Sequence, residues 1–165
     1  MINPHSFLIE NLNTVKVKHG DKTFYDHLCN VEKILRICGC DEDVCIAGLY
    51  HSIYGTSNFE KQTINDRKKI QDVIGIRAEN LVYIFCNASR PFCWFFGRNI
   101  PLRNGTYTQV DDQTLLDLQL IETANLLDQR SKSVCAHILS TISNSNAETI
   151  PTLFPNSINI EPQPE

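Results

Sequence analysis

Apolar residues recur at three- and four-residue steps through most of this chain, and polar turn residues separate the runs, so the pattern predicts an all-α protein. Phe7, Leu8, Leu12 and Val15 form a rough helical stripe near the start. The run Gly20-Asp21-Lys22-Thr23 breaks it. Thr23, followed by Asp26, predicts a helix entry: a short polar side chain caps free amides, and a carboxylate favours the positive end. Beyond it Leu28, Val31, Ile34, Leu35 and Cys38 mark one buried face, with His27 beside that stripe in the first turn. Gly39 ends this helix and Asp41 caps the next, which carries Val44, Cys45, Ala47, Gly48, Leu49 and Ile53. Adjacent Ala47 and Gly48 allow a neighbouring helix to come close, which predicts a central element. Residues 55–63 read as a polar loop. Residues 66–74 and 77–86 read as two helices hinged at Gly75, and Leu81, Val82, Ile84 and Phe85 make the second a core helix.

Residues 87–111 break the helical pattern. Ser89-Arg90-Pro91-Phe92-Cys93-Trp94-Phe95-Phe96 is aromatic and irregular, suited to a lid, an association surface or plain core. Asn104-Gly105 between short alternating runs predicts a β-hairpin. Helix resumes over about 113–129, where Leu115, Leu118, Ile121, Ala124 and Leu126 form a broad stripe that Glu122 and Asn125 interrupt. A last helix is expected over 131–142. The expected domain is 1–142, and 143–165 reads as a flexible tail rich in Asn and Pro.

Composition narrows the function. A chain of 165 residues with 42% hydrophobic and 21% charged residues suits one globular domain with a sizeable core. A net charge of -4, with no basic run longer than Arg67-Lys68-Lys69, argues against a nucleic-acid partner, and that triplet reads as a solvated helix face. The 7 cysteines include no Cys-x-x-Cys pair, and Cys38 and Cys45 fall among apolar residues, so they read as buried thiols in a reducing compartment. With neither a basic leader nor a stretch of spanning length, the chain is expected to be cytoplasmic and not membrane-bound.

The chemistry gathers around two histidines. One helix carries His27 near its start, and the apolar run Ala47-Gly48-Leu49-Tyr50-His51 delivers a second imidazole before turning through Gly55. A later helix carries Glu122 and Asn125 one turn apart. Two imidazoles from neighbouring helices are the beginning of a metal site or an acid–base pair.

This order of residues resembles the HD superfamily of all-helical metal-dependent phosphohydrolases, closest in layout to its (p)ppGpp-hydrolase branch. There a helical His, a His-Asp pair after an apolar helix and a distant helical Asp gather a divalent metal. Asp26-His27-Leu28, residues 47–56, 74–86 and 122–127 are together similar to an uncharacterised HD-like branch marked by His51-Ser52-Ile53-Tyr54-Gly55-Thr56. The resemblance spans about residues 19–130 and implies an all-α, HD-like bundle of six or seven helices with a small inserted β-hairpin.

Two departures change what it implies. Ser52 stands where the family has its metal-binding Asp, and Asn125 stands at the distant Asp. The acidic pair that works on the attacking water aligns with Tyr54-Gly55, so ordinary (p)ppGpp hydrolysis is not expected. His27, His51, Glu122 and Asn125 are the candidate metal residues; two histidines and a carboxylate suit Zn, Fe or Mn better than Mg. His19 is a further candidate nitrogen on a loop. Ser52, Tyr54 and Glu122 are the candidate catalytic residues, and Arg90 and Arg103 the candidate anion clamps. The expectation is a hydrolase-type enzyme acting on a small anionic molecule. The alternative is a degenerate, non-catalytic HD domain that binds a ligand or a partner, in which both histidines satisfy neighbouring carbonyls and Glu122 pairs with an arginine. The aromatic run would then join two copies in a homodimer.

Overall fold

A computed structural model describes residues 2–12, 14, 18–19, 22–55, 64–91, 93–94, 97–129 and 140. The fold is all-α with a small β-hairpin, as the periodicity predicts. Six helices stand among the described residues: α1 (Pro4–Asn11), α2 (Phe24–Ile37), α3 (Glu42–Tyr50), α4 (Arg67–Ile74), α5 (Ile76–Asn87) and α6 (Asp112–Asp128). Two short antiparallel pairs join them. Strands β1 (Lys18–His19) and β2 (Lys22–Thr23) lead into α2, and this pair is absent from the sequence pattern. Strands β3 (Asn99–Pro101) and β4 (Tyr107–Gln109) form the hairpin that Asn104-Gly105 predicts, inserted between α5 and α6. The loop 56–63, the last helix expected over 131–142 apart from residue 140, and the tail lie outside the described residues, as do Val15, Phe92, Phe95 and Phe96.

Local chemistry sets the helix ends. Thr23 Oγ1 accepts from the Asp26 amide, and the Thr23 amide donates back to the Asp26 carboxylate, both at 3.0 Å. That capping box fixes where α2 starts and so which residue of its first turn faces inward. Asp41, Asp66 and Asp111 cap α3, α4 and α6, each carboxylate accepting from the amide three residues on. Gly75, with φ of 88°, separates α4 from α5 as the sole residue between them, a backbone angle that glycine adopts without steric cost.

The core is built on α2 against α3, the most extensive helix pair. Leu28, Val31 and Leu35 of α2 meet Ala47, Gly48 and Leu49 of α3, all buried. A Cβ placed on Gly48 would lie 2.3 Å from Leu35 Cδ1, so the small residue is what lets these helices come so close. Helix α6 packs on both α2 and α3, and α5 packs on α3 and α6. Cys93 and Trp94 of the aromatic run are buried, with Trp94 stacked on Phe85, so these two residues belong to the core. No helix among the described residues is long and apolar enough to cross a membrane.

Arg67 departs from the solvated face read for its triplet. It crosses from α4 to α5, donates to both oxygens of buried Glu79 at 2.7 Å and lies over the Tyr83 ring.

Candidate functional site

His27 and His51 meet. The capping box places His27 in the first turn of α2 with its ring turned into the bundle, and His51 caps the C-terminal end of α3. Both are buried, and their Nε2 atoms stand 3.1 Å apart. The two rings cross at 74°.

Each ring is anchored through its other nitrogen. His51 Nδ1 lies 2.7 Å from the Gly48 carbonyl, which the His51 amide also meets at 3.5 Å where α3 ends. His27 Nδ1 lies 2.6 Å from the carboxylate of Asp128, at the end of α6, whose other oxygen accepts from Asn30 at 3.0 Å. A carbonyl and a carboxylate both accept, so each Nδ1 carries a hydrogen, and the two Nε2 atoms face each other across a single proton or another cation. Phe85 meets the His51 ring edge-on at 5.5 Å, and the Cys86 thiol donates to the His51 carbonyl at 3.1 Å. The His51 ring is therefore held by Gly48 and Phe85, and its backbone by Cys86.

Glu122 lies in a different set of contacts. It is buried on α6 and forms an ion pair with Arg90, itself buried. Burial pushes the Glu122 carboxyl up from the usual carboxylate range, and Arg90, Asn125 and Trp94 each pull it back. Its carboxylate belongs first to the arginine. Asn125, one turn on, is buried and accepts from Gln129 at 3.1 Å. The Arg90 guanidinium lies 4.0 Å over the Phe85 ring, whose own partner is His51. Among the described residues Arg90 Nε and the Trp94 indole nitrogen are buried donors with no hydrogen-bond partner of good geometry, an arrangement that costs stability unless something accepts from them.

The remaining expected residues are spread out. Ser52 is buried in the turn after His51. Tyr54 gives its hydroxyl to Glu79 at 3.0 Å, within the Arg67 cluster. Arg103 has an exposed side chain on the hairpin turn. Strand β1 carries His19, whose side chain lies outside the described residues. Among the described residues no group of three or more His, Cys, Asp or Glu side chains is arranged to hold a metal ion. Asp128, which orients His27, escaped the sequence reading, although it closes the stretch Ala124-Asn125-Leu126-Leu127-Asp128 one turn beyond Asn125.

A family model described as a domain of unknown function, DUF6817, matches residues 8–90, half of the chain. The chain belongs to that family. The matched segment holds both histidines and Arg90 and stops short of α6, which supplies Asp128, Asn125 and Glu122. No curated protein and no solved structure matches the chain.

Proposed function

We propose that this DUF6817 chain is an HD-like cytoplasmic protein in which His27 and His51 hold a divalent ion, Zn, Fe or Mn, in a hydrolase-type site for a small anionic molecule. The observation that carries this reading is the pair of Nε2 atoms 3.1 Å apart. Two lone pairs at that separation repel, so a cation belongs between them, either a metal ion or a proton shared by the rings. Two nitrogens bound to one zinc at about 2.0–2.1 Å stand roughly 2.9–3.4 Å apart, and the observed spacing fits. The anchored Nδ1 atoms fit as well: a metal-binding imidazole commonly donates its other N–H to a carboxylate or a carbonyl, which fixes the ring and raises its basicity. Glu122 does not fit as placed, because Arg90 holds it.

When bound, a divalent ion supplies Lewis acidity toward a substrate oxygen or an attacking water. The chain's own residues do the rest. Asp128 keeps His27 in the tautomer that presents Nε2, and Gly48 does the same for His51. Arg90 Nε offers a buried donor to an anionic oxygen, while Glu122 offsets the remaining charge on Arg90. Phe85 and Trp94 form an apolar wall that excludes water and strengthens those polar contacts.

The second reading is a degenerate domain that binds a ligand without turnover. It is favoured by Ser52 and Asn125 standing where the resemblance has acidic ligands, and by the Arg90–Glu122 pair, which takes up the replacement carboxylate expected from the sequence. Hydrolysis assays on phosphomonoesters, phosphodiesters and nucleotides, with tag-free protein loaded in turn with Zn, Fe and Mn, separate the two. The enzyme reading expects turnover that a chelator and His51→Ala both abolish. Stoichiometric metal retention without turnover of any of these compounds favours the degenerate domain.

A further inference from the structure

A separate set of side chains lies on the opposite face of α2, facing α1. Tyr25, Cys29 and Glu32 follow one another at four- and three-residue steps and so share one helix face. Across from them, His5 of α1 reaches all three. Its Nε2 lies 2.9 Å from Glu32, and its Nδ1 lies 3.0 Å from the Tyr25 hydroxyl and 3.8 Å from Cys29 Sγ.

The order of these contacts assigns roles. Glu32 is buried, accepts a hydrogen bond from Arg36 Nε at 2.9 Å and forms an ion pair with the same guanidinium at 2.8 Å, both through one oxygen, while its other oxygen faces His5. That oxygen fixes the hydrogen on Nε2 and leaves the single Nδ1 lone pair as the acceptor. At rest the Tyr25 hydroxyl meets it at 3.0 Å with the Cys29 thiol beside it at 3.8 Å, so the thiol uses it when the phenol turns aside. Tyr50 donates to the Pro4 carbonyl at 2.8 Å, which holds the start of α1, and His5 with it, against the bundle. A nucleophile, a base within reach of its proton, and a carboxylate orienting that base form the general arrangement of an activated nucleophile. Cys29 and His5 are both partly exposed, so a small reagent can reach them.

We propose that Cys29 is a nucleophilic thiol served by His5 as base and Glu32 as the residue that positions it, and that it is a site of modification by hydroperoxides. Burial pushes the Cys29 thiol up, so it rests protonated and depends on a neighbouring base to react. As sulfur bonds to one peroxide oxygen, the thiol proton passes to His5 Nδ1 and the O–O bond breaks. The departing oxygen then takes that proton from His5. Thiol and hydroperoxide thus become sulfenic acid and water or an alcohol, with sulfur oxidised, peroxide reduced and the imidazole returned neutral.

The test treats the tag-free full chain with hydrogen peroxide, traps sulfenic acid with dimedone and follows each cysteine peptide by mass spectrometry. Cys40, also half-buried and without an imidazole partner among the described residues, is the internal comparison. Cys29 is expected to label about tenfold faster than Cys40 or more, and His5→Asn to slow it about tenfold or more. If His5 only packs over the thiol, its removal exposes Cys29 and labelling speeds up or stays unchanged; either result overturns the proposal. Equal rates at Cys29 and Cys40 overturn it too. Should His5→Asn unfold the chain, Glu32→Gln decides in the same way: slower labelling supports the assignment, and unchanged or faster labelling defeats it.

Discussion

Replacing Gly48 by alanine tests how closely α2 and α3 are packed, and the contact that positions His51. The new methyl carbon would lie 2.3 Å from Leu35 Cδ1 and 3.4 Å from Val31 Cγ1, whereas ordinary contacts of this kind fall at 3.4–4 Å. Relief requires a shift of more than an ångström. The Leu35 end is flexible, yet it has no solvent to swing into because the residue is fully buried. Overpacking of this kind costs about 1–3 kcal/mol. Alanine returns about 1 kcal/mol through its better helix propensity. The net expectation is a loss of up to about 2 kcal/mol, or roughly 4–8 °C in Tm for a domain of this size. Urea unfolding and thermal melts of Gly48→Ala, Leu35→Ala and the double variant measure it. Leu35→Ala alone should cost about 2–5 kcal/mol by leaving a cavity. In the double variant the new methyl enters that space, so the combined loss should be smaller than the sum by about 1–2 kcal/mol. Additive losses, or a stabilised Gly48→Ala, would refute the packing argument.

Three other perturbations follow from the same contacts. Arg90→Met strands Glu122 as a buried charge and should cost about 3–5 kcal/mol, while Arg90→Met with Glu122→Leu should recover most of that loss in urea melts. Burial alone would raise Glu79, but hydrogen bonds from Arg67, Gln71 and Tyr54 hold it below its ordinary value of 4.5. Its contribution is therefore present above pH 4.5 and lost as pH falls through the lower folded value; Glu79→Gln should flatten the acid limb of stability against pH while lowering stability at neutral pH. Asp128→Asn removes the charge behind His27 and should weaken metal binding about 10–100-fold in a competition titration, with the helical circular-dichroism signal retained.

Much of this architecture was legible because helices announce themselves by periodicity and by their ends. Thr23 with Asp26, Asp41, Gly75 and Asn104-Gly105 are local signals, and the structure places a cap, a hinge or a turn at each. The meeting of His27 and His51 was also legible, because both lie beside apolar runs that must face one core. What each group pairs with was not. Arg67 reads as solvated in sequence because nothing local reveals that Glu79, twelve residues on, is buried. Glu122 was open to metal or arginine for a related reason: its partner comes from the irregular segment after α5, whose path carries no periodic signal. Asp128 was passed over because a carboxylate at a helix end is ordinarily solvated, and only the packing of α6 on α2 brings it to His27. The short β1–β2 pair is too brief to show alternation.

The central claim is that a metal ion belongs between His27 and His51, and the most direct measurement is metal content with ligand identity. Tag-free protein, equilibrated with zinc and desalted, is analysed by elemental mass spectrometry and by X-ray absorption at the zinc edge, alongside His27→Ala and His51→Ala. The account predicts about one ion per chain with nitrogen and oxygen neighbours, lost in both variants. A wild-type chain that retains no metal, or one whose zinc has sulfur neighbours and survives both substitutions, would contradict it and leave the two imidazoles sharing a proton.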